Sequence, residues 1–303
     1  IIIFQGSALD KSWKERCEDL SRAAERLSLV SAQEALILLR SSFGAPRVQH
    51  MLRCSPSADH PALTQFDEIQ RESLNRITNS NLTETQFCQA TLPIKDGGLG
   101  LRKVATLALS AFLSSSSSTQ SLQDVILSGC QPLDDACSRR CLDSWSSVYG
   151  TPPIYPASSK QTSWDRPGIE RSKSFIETRC LDLRQKAIFL ASKTRNSGDW
   201  LSALPIATCG LRLDDEAVRV AVANRLGLNT CAPHDCRCGA KVDAWGSHAM
   251  VCKKVQGRTT RHRTVNDIVA RAFTSAGVPT SKEPTGLLRN DGKRPDGLTL
   301  VPW

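Results

Sequence analysis

Residues 236–252 read CRCGAKVDAWGSHAMVC, in which three cysteines and one histidine have the spacing C-x-C-x9-H-x3-C. Thiolate sulfur and imidazole nitrogen are preferred ligands of Zn²⁺, and four of them complete a tetrahedral shell. Cys236 and Cys238 would supply one pair of ligands from a tight turn. His248 and Cys252 would supply the other pair from a helix or turn. We therefore predict a structural zinc site at these four residues.

Two neighbouring side chains keep the ligand set open. Cys231 and His234 lie just upstream and could each replace one ligand. The alternative interpretation is a set of unrelated buried thiols beside a surface histidine. The segment 231–256 shows no sizeable apolar core, so a bound metal would have to hold it together. Structural zinc can contribute on the order of 10 kcal/mol to folding.

The positive charge of the chain is concentrated around this segment. The 303 residues carry a formal net charge of +9. Residues 231–303 hold 12 Lys and Arg against 6 Asp and Glu, which leaves +3 for the other 230 residues. A basic surface favours an anionic partner. Nucleic acid is such a partner, and a solvated basic surface without a partner is the alternative.

The remaining cysteines are scattered along the chain, which disfavours a disulfide-stapled protein. Reduced thiols and a Cys/His cluster favour a nuclear or cytoplasmic location. No apolar run approaches the length of a membrane span, and the opening Ile1–Phe4 is too short for a signal peptide. Neither a membrane partner nor a small-molecule substrate is predicted. The scattered cysteines are Cys17, Cys54, Cys88, Cys130, Cys137, Cys141, Cys180 and Cys209.

Apolar residues at helical spacing predict a mainly α chain up to residue 230. Capping boxes are expected at Ser31 with Glu34 and at Thr83 with Gln86. A serine run at 114–118 predicts a flexible joint, and a proline-rich stretch at 150–168 predicts a second irregular region. The expected helices are 9–29, one following Ser31, 48–53, 61–77, one following Thr83, 102–113, 120–129, 135–148, 169–193 and 214–226.

A basic helix is predicted from about 259 to 275, directly after the Cys/His segment. Its apolar positions have core-face spacing and comprise Val265, Ile268, Val269, Ala272 and Phe273. A polar stripe, Arg258, His262 and Asn266, could hold phosphates or orient an acidic site. A solvated polar face is the alternative. The predicted nucleic-acid-binding residues are Arg258, Arg261, His262, Arg263, Lys293 and Arg294.

Two acidic residues follow this helix. Glu283 precedes the run Lys293–Gly297, in which Asp296 stands just before the apolar residues 298–301. Metal-dependent nucleases place a carboxylate at the start of a strand in this way, where Mg²⁺ takes hard oxygen ligands and activates a water. Taken alone, Pro-Asp-Gly is also ordinary turn chemistry.

The order of these features resembles the C-terminal end of site-specific non-LTR retrotransposon proteins. Those proteins carry a Cys-Cys-His-Cys zinc knuckle followed by a nuclease of the PD-(D/E)xK type. Asp296 matches the Asp of that family's Pro-Asp motif, and Glu283 is the second predicted catalytic residue of the incomplete nuclease site. The resemblance implies that the partners are DNA and RNA. Upstream, residues 4–9 look like the tail of the palm's primer grip, and 9–80 look like the thumb helices. Leu92-Pro93 with Gly97–Gly100 is similar to the Gly-Gly-Leu-Gly segment behind the thumb.

The sequence departs from that family in ways that limit the expected activity. Its Tyr-x-Asp-Asp polymerase motif is absent, and the second Asp and the Lys of the nuclease do not appear before Trp303. Both ends are expected to be breaks in a longer reading frame. The C-x-C pair replaces a wider pair. We therefore expect a nucleic-acid-binding fragment without a complete active site, in which Mg²⁺ would bind only to a completed nuclease.

Two other functions stay open: part of a full-length, active target-nicking reverse transcriptase, and a helical scaffold with a structural zinc site. The expected fold is mainly α, then α+β. The expected organisation is 1–8, the end of a palm strand; 9–113, a thumb-like helical domain; 114–205, a helical linker; 206–256, a helix plus the zinc knuckle; and 257–303, a truncated α/β segment like a restriction endonuclease.

Overall fold

A computed structural model of the chain describes residues 6–128, 135–180, 182–254, 257–287, 292 and 295–301, without the side chain of Arg258. The described chain is mainly helical, as predicted, with a few short strands. It divides into two compact units, Ile1–Thr230 and Cys231–Trp303. Of the palm strand predicted at residues 1–8, residues 1–5 lie outside the described residues, and a helix begins at Ser7. No helix of the described chain is long and apolar enough to cross a membrane.

The first unit is built from helices around one main apolar core. Its helices are α1 Ser7–Leu27, α2 Ala32–Leu38, α3 Ala45–Cys54, α4 Pro61–Thr78, α5 Glu84–Ala90, α6 Val104–Ile126, α7 Ala136–Tyr149, α8 Gln161–Arg179, α9 Leu183–Ser192 and α10 Asp215–Leu226.

The packing of α1 against α4 follows from the apolar stripe of α1. Leu9, Trp13, Cys17 and Leu20 are buried along one face of this helix. The Trp13 indole N–H donates to Ser57 Oγ over 3.2 Å, so its polar edge is satisfied inside the core. The predicted amphipathic helix α1 therefore buries its apolar face in the core of the first unit.

The starts of three helices are set by local side chains, as predicted. Both capping boxes form, at Ser31 with Glu34 before α2 and at Thr83 with Gln86 before α5. Asp214 accepts a hydrogen bond from the N–H of Ala217 at the start of α10. Such caps satisfy N–H groups that have no partner within the helix.

The serine run does not form the predicted joint. It lies inside α6, which continues to Ile126. Ser114 is buried and donates to the Ala111 carbonyl over 3.1 Å, and Ser117 donates to Ser158 over 2.6 Å. Hydroxyls that bond within the helix or across a packed interface remove the main reason for a helix to end at serine.

The predicted boundaries of 150–168 and 169–193 are also wrong. Helix α8 begins at Gln161, contains Pro167 and ends at Arg179, and α9 is a separate helix. Trp164 is buried, donates to the Ser158 carbonyl over 2.7 Å and packs edge-on against Trp145. This aromatic packing stabilises the first turn of α8 despite the hydrogen bond that proline cannot make.

Helix α10 packs within the first unit, whereas the sequence grouped it with the Cys/His segment. Its Arg225 is buried and donates to the carbonyls of Ile94 (2.7 Å), Gly98 (2.9 Å) and Ser197 (3.2 Å). Burial lowers the pKa of this guanidinium. Arg225 therefore joins α10 to the glycine-rich turn at residues 97–100. Only glycine fits at position 98 of this turn, because a Cβ there would lie 2.0 Å from the Leu92 carbonyl oxygen.

The described residues of the second unit form two antiparallel strand pairs. Strands β1 His234–Asp235 and β2 Lys241–Val242 form one pair, followed by α11 His248–Val251 and α12 Gly257–Ser275. Strands β3 Thr280–Lys282 and β4 Gly297–Thr299 form the other.

The predicted core face of α12 is not buried. Val265, Ile268 and Val269 are each about half exposed. Helix α12 packs on β3, but two strands of three residues each offer too little surface to cover a helix of 19 residues. The periodic pattern therefore predicted the helix correctly, but the burial that it predicted for the apolar face is wrong.

Candidate metal centre and the acidic residues beyond it

The four predicted ligands come together in the second unit. One ligand atom from each of Cys236, Cys238, His248 and Cys252 lies within 4.8 Å of all the others. The sulfur atoms of Cys236 and Cys252 are 3.7 Å apart, and Cys238 Sγ lies 3.0 Å from His248 Nε2. These residues could hold one metal ion.

A tight turn between β1 and β2 presents the first two ligands. The N–H of Cys236 donates to the Ala240 carbonyl over 2.9 Å, and the N–H of Gly239 donates back to the Cys236 carbonyl over 2.8 Å. Gly239 has φ +89°, a left-handed conformation that favours glycine. Cys238 is thereby turned to the same side as Cys236.

The other two ligands stand one helical turn apart. His248 begins α11, and the N–H of Cys252 donates to the His248 carbonyl over 2.8 Å. Because residues i and i+4 share a helix face, both side chains project to the same side. A turn stabilised by Asp243, which accepts from the N–H of Ser247 over 3.4 Å, leads into this helix.

The distances fit a tetrahedral ion. With zinc–sulfur and zinc–nitrogen bonds of about 2.3 and 2.0 Å, two sulfurs should lie about 3.8 Å apart and a sulfur and a nitrogen about 3.5 Å apart. The Cys236–Cys252 separation of 3.7 Å matches the first value. The Cys238–His248 separation of 3.0 Å is shorter, so this pair would have to open slightly around an ion.

The alternative ligands have other contacts. Cys231 Sγ lies 3.3 Å from the Asp243 carbonyl oxygen, and His234 Nδ1 lies 2.9 Å from the Ala232 carbonyl oxygen. Neither belongs to the group of four. The eleven cysteines in the described part of the chain are all free thiols, so no disulfide competes for these sulfurs there.

The second unit has little else to hold it. Among its described apolar residues only Val242 and Cys252 are buried. Small domains without a sufficient core depend on a metal or a covalent link. A metal at this site would therefore stabilise the second unit, as the sequence predicted for 231–256.

Comparison of the chain with protein-family models and with curated proteins found no match. Any function must therefore be inferred from the chain's own residues and their geometry.

Exposed cations surround the four ligands. Arg237, Lys241, Lys253 and Lys254 are all exposed, and the Lys254 ammonium lies 3.4 Å from the Arg237 carbonyl oxygen. The sequence prediction did not include these residues. The sequence signal for Arg237 and Lys253 was their place directly beside a ligand, because a residue next to a ligand in a short turn points away from the ion.

The same reasoning applies to two apolar residues between the ligands of α11. Met250 and Val251 are 60% and 75% exposed. They lie between His248 and Cys252, within the single turn of α11. The sequence prediction also missed these two residues.

The predicted acidic residues lie at the β3–β4 pair. His262 on α12 approaches Asp296, with Nε2 3.3 Å from Oδ1, and Asn266 lies 3.3 Å from the same imidazole nitrogen. The N–H of Glu283 donates to the Asp296 carbonyl over 3.0 Å. His262 is therefore placed to orient the Asp296 carboxylate, one of the two roles expected of the polar stripe.

These carboxylates do not assemble a metal site in the described residues. Neither Glu283 nor Asp296 belongs to a described group of three or more ligand atoms. Asp296 lines an open groove of about 370 Å³ together with Lys282 and Asn266. Arg261 and Arg263 are exposed on α12. Lys293, Arg294 and the side chain of Arg258 lie outside the described residues.

Proposed function

We propose that residues 231–254 form a zinc-stabilised module that binds nucleic acid, within a protein of the non-LTR retrotransposon reverse transcriptase and endonuclease type. The observation that carries this proposal is the convergence of Cys236, Cys238, His248 and Cys252 within 4.8 Å in the most basic quarter of the chain. Three thiols and one imidazole are a donor set that selects zinc over Mg²⁺ or Ca²⁺.

Zinc, when bound, would link the β1–β2 turn to α11 and supply no reaction chemistry. The chain's own residues then do the binding. Arg237 and Lys241 project from the hairpin, and Lys253 and Lys254 follow α11, so four cations stand on one ordered scaffold. Cations fixed in place lose less conformational entropy when they contact phosphates.

We further propose that the first unit and α12 serve the same function, as a thumb-like region and a DNA-contacting helix. The supports are the glycine-rich turn beside Arg225 and the exposed Arg261 and Arg263. DNA and RNA are the proposed partners, in the nucleus or cytoplasm. The chain as given carries neither a polymerase motif nor a complete nuclease site.

Metal analysis and binding measurements test this proposal together. The purified chain should contain one zinc per molecule and should bind DNA or RNA with an affinity that falls steeply as salt rises, because phosphate contacts release counterions. Cys252→Ser should lose both properties. Cys209→Ser changes an exposed cysteine of the first unit and is the matched control.

The alternatives give different results. A helical scaffold with structural zinc would hold the metal and show no salt-dependent affinity. A fragment of an active target-nicking enzyme would bind in the same way, and its longer reading frame would contain Tyr-x-Asp-Asp upstream and an Asp and Lys downstream. Absence of zinc from the unmutated chain would remove the basis of the proposal.

A further inference from the structure

The outer face of α11 combines apolar exposure with positive charge. His248 and Cys252 turn toward the other ligands, which leaves Met250 and Val251 at 60% and 75% exposure. Helix α11 buries none of its own residues. The folding of this helix therefore gives no reason for methionine and valine at these positions, where polar residues would suffice.

Cations lie close to this apolar pair in the chain. Lys253 and Lys254 follow it after Cys252, and the contact of 3.4 Å between Lys254 Nζ and the Arg237 carbonyl oxygen brings the Cys236–Cys238 turn beside Lys254. Residues 236–254 hold four Lys and Arg against a single Asp. That residue, Asp243, accepts a hydrogen bond from the N–H of Ser247.

A partner matched to this surface must offer negative charge and apolar faces within a few ångströms of each other. Unpaired nucleotides do so, because each carries a phosphate and an unstacked base face. Duplex DNA offers the phosphates, but its base faces are stacked inside the helix. Met250 and Val251 would then have only groove edges and sugars to contact.

We propose that the α11 surface, defined as Arg237, Met250, Val251, Lys253 and Lys254, binds single-stranded nucleic acid in preference to duplex. The apolar pair contacts base faces and the three cations contact phosphates. Because the contacts are made to the faces of the bases, the surface binds single strands of DNA and of RNA alike. This inference rests on the proposed nucleic-acid-binding function and adds which form of nucleic acid is bound.

Fluorescence anisotropy with the zinc-loaded full chain tests the preference. The ligands are a labelled DNA strand, the RNA strand of the same sequence and the matching DNA duplex. We expect both single strands to bind about tenfold more tightly than the duplex at physiological salt. Equal affinity for strand and duplex, or tighter binding of the duplex, would overturn the inference while leaving the proposed function intact.

A double variant tests the residues. Met250→Ser with Val251→Ser should weaken single-strand binding about tenfold, leave duplex binding unchanged and leave the salt dependence unchanged, since no phosphate contact is lost. Leu183→Ser removes a leucine that is 85% exposed in the first unit and should change neither affinity. Unchanged single-strand affinity in the double variant contradicts the inference.

The readouts separate structural damage from loss of contact. Zinc content is measured in every variant. If the double variant does not retain the ion, a Met250→Gln variant that does retain it takes its place. If the unmutated chain shows no salt-dependent binding to any of the three nucleic acids, the result contradicts the proposed function itself. The comparison of strand with duplex uses the unmutated chain, so it decides the inference whatever the variants do.

Discussion

The carboxylate of Asp67, on α4, accepts a hydrogen bond of 2.7 Å from the backbone N–H of Val104, the first residue of α6. A second bond of 3.2 Å comes from the N–H of Ala105. Lys103, the residue before α6, provides no side-chain cap. Asp67 therefore caps α6 from a different helix, and it joins two elements that are far apart in the sequence.

This buried cap predicts how stability depends on pH. Burial raises the pKa of Asp67 from 3.8 to about 6, despite the two backbone hydrogen bonds that lower it. The folded state thus keeps a proton that the unfolded state releases, so the contribution of Asp67 to stability is greatest below about pH 4 and is lost as the pH rises through about 6. Between pH values below about 4 and pH values above about 6, this contribution to the free energy of unfolding falls by about 3 kcal/mol.

Urea unfolding of the wild type and of Asp67→Asn over this pH range measures the effect. The free energy of unfolding of the wild type, relative to Asp67→Asn, should fall by about 3 kcal/mol between about pH 4 and pH 7. Glu72→Gln, at an exposed position of the same helix, should leave the pH dependence unchanged. A difference that stays constant with pH would show that Asp67 titrates normally.

Loss of a zinc ligand should unfold one unit and spare the other. In Cys238→Ser we expect no bound zinc and loss of amide protection across 231–256, because little apolar surface holds this segment. Helices α1 to α10 should keep their protection, which hydrogen exchange can measure. Cys54→Ser is a control outside the site. Full protection of 231–256 without metal would contradict the structural role of the ion.

Gly98→Ala should destabilise the first unit. The added Cβ would lie 2.0 Å from the Leu92 carbonyl oxygen and 2.6 Å from the Gln89 carbonyl oxygen, so the backbone itself must move. We expect a loss of about 3 kcal/mol in the free energy of unfolding, as for severe overpacking. Gly168→Ala, where the nearest atom is Tyr149 Oη at 3.2 Å, should change stability far less. Thermal or urea unfolding distinguishes the two.

The proposed function, a fragment that binds nucleic acid, predicts that the chain as given does not nick DNA. Mg²⁺ catalysis of phosphodiester cleavage requires several oxygen ligands in one place, and Glu283 and Asp296 do not provide them among the described residues. Supercoiled plasmid incubated with the chain and Mg²⁺ should remain supercoiled. Nicking that Asp296→Ala abolishes would contradict this prediction and would favour the active-enzyme alternative.

Features decided by near neighbours could be predicted from the sequence. The capping boxes at Ser31 and Thr83 and the cap at Asp214 depend on residues within one helical turn. The four ligands of the candidate metal centre span 17 residues, so their spacing constrains their geometry directly. For these features the residues that interact are also adjacent in the chain.

Features decided by distant partners could not be predicted. The serine run is helical because Ser117 bonds to Ser158, and α8 starts early because Trp164 packs on Trp145. The apolar face of α12 has a helical period, but the amount of surface available to cover it depends on the small β3–β4 pair. A periodic pattern reports what a helix could bury, and only packing determines what it does bury.

By itself the sequence determined the mainly helical character, the local caps of α2, α5 and α10 and the spacing of the four candidate metal ligands, because each depends on groups only a few residues apart. Only the tertiary structure decided that α10 packs within the first unit, that Asp67 caps α6 and that His262 reaches Asp296. Those contacts join residues separated by dozens of positions, and the free energy that selects among such pairings comes from packing the whole unit.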